Sequence, residues 1–90
     1  MNIPKTFNLA GIKWKIQENP HLVNMGECHS QRGIIYLKPD SNYDPAVREQ
    51  TYYHELVHAI LFTMGDSGPH DEKFVDGFAA LLHQYVNTVK

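Results

Sequence analysis

The segment His54-Glu55-Leu56-Val57-His58 decides how this sequence is interpreted. Residues four apart on an α-helix lie on one face, so both imidazoles can reach one tetrahedral ion at about 2.0–2.1 Å. Glu55 is poorly placed to ligate the same ion and points toward the open coordination position. A carboxylate there can take the proton of a water that zinc has made acidic. The segment therefore predicts one Zn²⁺ per chain, with His54 and His58 as ligands and Glu55 as the general base.

The surrounding residues predict that this motif lies within a helix. Asp44 is a favourable N-cap, and Pro45 occupies the first helical position, where proline is well tolerated. Gly65 is a typical C-terminal stop, so the helix is expected to run to about residue 64. Apolar residues at helical spacing give this helix one apolar stripe: Val57, Ile60, Leu61 and Met64.

A second helix is predicted downstream, beginning near His70 or Asp71 after a loop rich in Gly, Pro, Ser and Asp. Apolar residues recur at helical spacing along it, and we expect them to form its buried face. These residues are Phe74, Val75, Phe78, Ala79, Leu82, Tyr85 and Val86.

The N-terminal half predicts four short strands: Phe7–Leu9, Ile12–Ile16, Glu27–Ser30 and Ile34–Leu37. Ala10-Gly11 predicts a tight hairpin, and Gly33 ends a turn where a positive φ is needed. Residues 38–42 are predicted to form a loop. Strands followed by helices indicate one α+β domain over residues 1–90, with a small antiparallel or mixed sheet packed on two helices.

Composition limits the classes of function. Ninety residues and a formal net charge of −2 give no reason to expect nucleic acid or an anionic membrane as a partner. Cys28 is the single cysteine, so a disulfide framework and a thiolate zinc cluster are excluded. The sequence has no apolar leader and no segment long enough to span a bilayer, which favours a cytoplasmic protein.

The third zinc ligand is left open by spacing alone. The candidates are His70, Asp71, Glu72 and Asp76. Glu72 and Asp76 are four residues apart and share a helix face, so Glu72 could complete the coordination. Asp76 could then accept a hydrogen bond from the second nitrogen of a ligating histidine. His70 is the main competing ligand, and both acids could instead be solvated first-turn residues favoured by the helix dipole.

The motif and the segment from Glu72 to Leu82 resemble zincin metallopeptidases of the gluzincin type. That segment looks like the E-x-x-A-N-x-F-A pattern of the ImmA/IrrE family, with Val75 and Asp76 in place of Ala-Asn. The whole chain also looks like small zincin-like proteins of phages and prophages. The resemblance implies a minimal zincin-like fold, the ligands His54, His58 and Glu72, and hydrolysis of peptide bonds. If the chain is phage-encoded, the host cytoplasm is its expected location.

A second family is similar at residues 70–74. His70-Asp71-Glu72-Lys73-Phe74 looks like the H-G-x-x-F segment of SprT-like proteases, which supplies a third histidine ligand. The Gly after the histidine is absent, and the spacing from His58 is shorter. This resemblance keeps His70 in reserve as a ligand.

The expected partner is a protein or peptide substrate, lying as an added strand along an exposed sheet edge. Ile34–Leu37 is the candidate edge, and an ordinary inner strand is the alternative. Walls for the substrate are expected from the loop around Pro20–Arg32 or from another protein. No oxyanion-stabilising residue can be assigned among Tyr52, Tyr53, His83 and Tyr85. Because the chain is short, a zinc-stabilised regulatory or protein-binding module with little hydrolytic activity is the alternative function.

Overall fold

Four β-strands precede two α-helices in the computed structural model, which describes residues 3–39 and 44–90. The strands are β1 (Thr6–Leu9), β2 (Ile12–Glu18), β3 (Gly26–His29) and β4 (Ile34–Leu37). A 3₁₀ turn, Ser30–Arg32, joins β3 to β4, and the helices are α1 (Pro45–Thr63) and α2 (Glu72–Thr88). The predicted α+β class is confirmed. Most of the loop predicted at residues 38–42 lies outside the described residues.

The four strands form one mixed sheet in the order β1-β2-β4-β3. β1 pairs antiparallel with β2, β2 runs parallel to β4, and β3 pairs antiparallel with β4. The expectation that Ile34–Leu37 is an exposed edge is wrong, because β2 and β3 occupy both sides of this strand. Among the described residues, β1 and β3 are the edge strands.

Both predicted turns have the expected backbone. Ala10 and Gly11 have φ values of 50° and 78°, and two positive φ values in a two-residue loop are typical of a type I′ hairpin. Gly33 closes the 3₁₀ turn with a φ of 64°. These turns hold β1 against β2 and β3 against β4.

Local signals set both ends of α1. The Asp44 carboxylate accepts a hydrogen bond from the backbone N–H of Ala46 at 2.8 Å, and Pro45 is the first helical residue. Met64 caps the other end and Gly65 follows with a φ of 101°. Met64 itself is 78% exposed, so the predicted apolar stripe stops before it, where the helix ends.

One face of the sheet packs against α1, which in turn packs against α2. The buried residues of the sheet are Trp14, Ile35 and Leu37, and those of the helices include Tyr52, Tyr53, Val57, Ala59, Val75 and Ala79. Helix α1 lies against β3 and β4. No described helix combines the length and apolarity that a membrane span requires.

The buried face predicted for α2 is only partly correct. Val75 and Ala79 are fully buried, and Leu82 and Val86 pack at the core margin. Three other members of that face are exposed: Phe74 (49%), Phe78 (49%) and Tyr85 (63%). The physical reason is that α2 is apolar over two adjacent rows, and only one row contacts the core.

Candidate metal centre

Helix α1 presents two histidines to the first turns of α2. The rings of His54 and His58 lie on one helix face with centroids 5.0 Å apart. Glu72 faces both rings. Its Oε2 lies 3.3 Å from Nε2 of His54 and its Oε1 lies 3.2 Å from Nε2 of His58. The three side chains that spacing and resemblance single out are therefore brought together.

Asp76 contacts the second ring nitrogen of His54. Its Oδ1 lies 2.7 Å from Nδ1 of His54, a distance typical of a strong charge-assisted hydrogen bond. An Nδ1–H donated to this carboxylate leaves the Nε2 lone pair of His54 facing Glu72. This is the supporting contact expected of Asp76.

His70 supports the second histidine in the same way. Its Nδ1 lies 2.7 Å from Nδ1 of His58, and its Nε2 lies 2.8 Å from the carbonyl oxygen of Asp66. Because that carbonyl can only accept, His70 donates from Nε2 and accepts at Nδ1 from His58. The Nε2 lone pair of His58 is then free for a ligand. Both nitrogens of His70 are thus engaged away from Glu72, and this geometry disfavours His70 as the third ligand.

The three donor groups fit a zinc ion. Bonds of 2.0–2.1 Å at tetrahedral angles place neighbouring ligand atoms about 3.3 Å apart, close to the separations between Glu72 and the two histidines. One ligand atom from each of His54, His58 and Glu72 lies within 4.8 Å of the others. Imidazole nitrogens and a carboxylate oxygen are donors that zinc binds. The pKa of His58 is lowered, and burial of the ring is the main cause. A lowered pKa favours the neutral ring that metal binding needs.

Glu55 lies in the same cleft as these groups. The cleft has a volume of about 690 Å³ and runs between β3 and the two helices. Residues 24–29 form its outer wall, within the segment expected to supply walls. Glu55 is only 8% exposed. Burial raises its pKa to about 7; the charges of Glu72 and Glu27 act in the same direction, and His54 opposes them.

Gly26 allows the strand to approach this carboxylate closely. A Cβ at Gly26 would lie 2.7 Å from Cγ2 of Thr51, and 3.2 Å from both Cγ of Glu55 and Cδ2 of Leu37. Sequence reasoning assigned no role to Gly26 or Glu27. Their roles come from the packing of β3 on α1, a contact between residues far apart in the chain that no local pattern reveals.

A second cavity of about 430 Å³ meets the first at Glu55 and His58. It is lined by Cys28 of β3, by Phe62 at the end of α1 and by the interhelical loop through Pro69. Burial raises the pKa of the Cys28 thiol, so this side chain behaves as a small apolar group here. Glu55 and His58 therefore line both cavities.

The four residues considered for oxyanion stabilisation lie away from the cleft. Tyr52 and Tyr53 are buried in the core. His83 stacks on Tyr53 and places its ring nitrogens 3.1 Å from oxygens of Gln50 and Glu49. Tyr85 is exposed on α2. Another histidine, His29, is among the residues that line the cleft, and its Nε2 lies 2.9 Å from Oε1 of Glu27.

No protein-family model matches this chain, and neither curated proteins nor solved structures include a significant match. Interpretation of the site therefore depends on its own geometry and chemistry.

Proposed function

We propose that this protein binds one Zn²⁺ through His54, His58 and Glu72 and hydrolyses peptide bonds. The observation that carries the proposal is the Glu72 carboxylate facing the Nε2 atoms of both histidines, with Glu55 beside them in one cleft. The supporting contact from Asp76 favours a metal site over a chance ion pair, because metal-bound histidines usually donate their second N–H to a carboxylate, a backbone carbonyl or a water. The mixed sheet with two helices agrees with a minimal zincin-like fold of the gluzincin type.

In the proposed reaction, the metal, Glu55 and the two histidines would have different roles. Zinc bound there would act as a Lewis acid toward a water and the scissile carbonyl. Glu55 would accept a proton from the attacking water and deliver it to the amine as the C–N bond breaks. His54 and His58, held by Asp76 and His70, would keep their Nε2 lone pairs in place throughout.

The substrate would bind along β3 rather than along β4. In the described part of the chain, β3 pairs only with β4 and on one side only, and its residues line the cleft that contains Glu55. An extended peptide could therefore add to this edge by backbone hydrogen bonds. Its scissile bond would then lie beside the histidines.

One observation favours a second candidate function. None of Tyr52, Tyr53, His83 and Tyr85 reaches the cleft, and a peptidase gains much of its rate from groups that stabilise the oxyanion. A zinc-stabilised protein-binding module with little hydrolytic activity would not need such a group. Glu55 argues against this candidate, because a structural zinc site has no use for a base.

Metal analysis and a peptide-library digest test the proposal together. Protein purified without a histidine tag should contain about one zinc per chain. His54→Ala and Glu72→Ala should lose this zinc, whereas Glu55→Gln should retain it. His70→Ala should retain stoichiometric zinc with weaker affinity; complete loss in this variant together with retention in Glu72→Ala would reverse the ligand assignment.

The digest then separates enzyme from binding module. Zinc-loaded wild type should cleave library peptides, and Glu55→Gln carrying the same zinc should lose at least about 10²-fold in rate, the usual contribution of a general base. Cleavage that survives in Glu55→Gln would refute the mechanism. A fully zinc-loaded wild type that cleaves nothing would favour the binding module.

A further inference from the structure

We propose that two copies of this chain associate through the exposed apolar row of α2, forming an antiparallel, two-fold symmetric helix pair. The row, called here the outer seam, consists of Phe74, Phe78, Leu81 and Tyr85. Their side chains are 49%, 49%, 68% and 63% exposed. The rings of Phe74 and Phe78 touch each other, with centroids 5.7 Å apart.

The outer seam is a continuous stripe rather than four scattered residues. Its members follow one another at intervals of four, three and four positions, the spacing that keeps side chains on one helix face. The neighbouring row Val75, Ala79, Leu82 and Val86 has the same spacing and packs toward α1. Such spacing is typical of a helix that packs against another helix, and only the inner row has a partner among the described residues.

The order of the intervals favours a second copy as the occupant. The intervals between the residues of the outer seam are four, three and four positions, and this order is the same from either end of the helix. In an antiparallel pair, each residue of one outer seam therefore lies opposite a residue of the other. Phe74 of one copy then opposes Tyr85 of the other, and Phe78 opposes Leu81. A two-fold interface needs this self-complementarity, because each surface patch meets itself.

Charge does not oppose this pairing. The positions beside the outer seam on its open side are Gly77 and Gln84, which carry no charge and leave room for a close approach. No like charges would face each other there, and no charged row offers a binding site to an oppositely charged partner. Lys73 of each copy would stand near the C-terminal end of the other α2, where helix carbonyls carry partial negative charge.

The area is sufficient for a weak dimer. The four side chains expose roughly 400 Å² of mostly apolar surface in each copy, given about 150–250 Å² for a whole aromatic side chain. A patch of this size is comparable with the largest apolar patch on a typical monomer, and such patches are often functional. With the flanking residues, two copies would bury about 1,000 Å², near the lower limit for specific association. We therefore expect a dimer that dissociates on dilution.

The proposed dimer leaves the clefts open. At 100° per residue, Glu72 and Asp76 project roughly opposite to the outer seam on α2, toward the histidines of α1. Each copy would keep its own cleft on the outside of the pair. Self-association and metal binding are thus separable, and the dimer does not depend on the proposed function.

Sedimentation equilibrium over a range of concentrations tests the association. Wild type should pass from the 10.3 kDa chain mass to twice that value as its concentration rises. Leu81→Lys should remain at the chain mass, since a charge would be buried at the centre of the pair. Val23→Lys is the matched control: Val23 is 89% exposed and lies outside α2, so this variant should dimerise like wild type.

Charge complementation tests the orientation. Phe78→Glu and Leu81→Lys should each be monomeric, and an equimolar mixture should recover the dimer, because residues 78 and 81 face each other only in the antiparallel pair. Circular dichroism confirms that each variant is folded. A wild type that stays monomeric at millimolar concentration, or a Leu81→Lys variant that dimerises like wild type, overturns the proposal. A mixture that stays monomeric while wild type dimerises overturns the antiparallel arrangement.

Discussion

Each histidine of α1 uses its two ring nitrogens for different tasks. Nε2 of His54 and of His58 faces Glu72, and the Nδ1 atoms contact Asp76 and His70. The contacts at Nδ1 fix the tautomer and the ring orientation before any ion binds. Because these side chains are already ordered, metal binding would lose less conformational entropy than it would with flexible ligands.

Replacing Asp76 should weaken zinc binding without changing its stoichiometry. Asp76→Ala removes the acceptor for the Nδ1–H of His54, so we expect the zinc Kd to rise by about 10- to 100-fold. Competition with a chromophoric chelator measures the change. Asp66→Ala is the control, because it removes only a carboxylate 3.9 Å from Nε2 of His70 and retains the backbone carbonyl to which His70 bonds. Equal losses in both variants would contradict a specific role for Asp76.

Sequence spacing and resemblance predict that His54, His58 and Glu72 lie together and that Asp76 contacts a histidine, but they do not predict the contact of His70. His54, Glu55 and His58 form a local pattern whose geometry follows from one helical turn. Glu72 and His70 could not be ranked by spacing, since both precede or begin the same helix. Their roles are separated by the interhelical turn, which directs His70 toward the carbonyl of Asp66.

At the scale of elements, β3 packs against α1 so closely that there is no room for a side chain at Gly26. The contact passes through Gly26, and it places the strand directly over Thr51 and Glu55. Glu55 becomes buried because β3 covers it. The raised pKa of this carboxyl group is therefore a consequence of strand–helix packing.

Gly26→Ala should destabilise the protein and displace Glu55. The added Cβ would be 2.7 Å from Cγ2 of Thr51, and a β-branched helical side chain has little freedom to move. We expect the free energy of unfolding to fall by about 1–3 kcal/mol, measured by urea denaturation. Gly77→Ala is the matched control. Gly77 has open space around its Cα, so alanine there should raise stability by about 0.5–1 kcal/mol.

The order of strands was less predictable than the ends of helices. Asp44, Pro45 and Gly65 act through contacts within a few residues, and α1 begins and ends where they indicate. The positions of β2 and β3 on either side of Ile34–Leu37 depend instead on how all four strands pair in the sheet. Four apolar-rich strands permit several such orders, so the edge was assigned to the wrong strand.

At the scale of the whole molecule, the core is small and a bound ion should contribute to folding. A ligand that binds only the native state adds stability according to its concentration relative to Kd, about 2.7 kcal/mol at one hundred times Kd. For a domain of this size, this corresponds to a rise in Tm on the order of 10 °C. Thermal denaturation with and without excess zinc measures it. His54→Ala should show no zinc-dependent shift, and a shift of wild-type size in that variant would contradict the assigned site.

Alkaline pH should unfold the protein partly through Tyr52. Burial, the main cause, and the neighbouring Tyr53 raise the pKa of Tyr52 from 10.0 to about 12 in the folded chain. The native state therefore holds its proton more tightly than the unfolded state does, and this stability is present below pH 10 and lost as pH rises toward 12.

The Tyr52→Phe variant isolates this contribution. Relative to the variant, wild type should lose about 2 kcal/mol of unfolding free energy between pH 9 and pH 12. Urea denaturation at several pH values measures the difference. Parallel stability curves for the two proteins would show that Tyr52 titrates normally.

The free side of β3 has a further consequence. Unpaired backbone N–H and C=O groups on an edge strand can join to the edge of any other sheet, which is how aggregation of β proteins often begins. β3 is only four residues long, and Oε1 of its Glu27 lies 2.9 Å from Nε2 of His29. Short length and charged side chains are features by which natural edge strands resist such joining. The edge along which we propose that a peptide binds therefore also carries features that limit pairing with other strands.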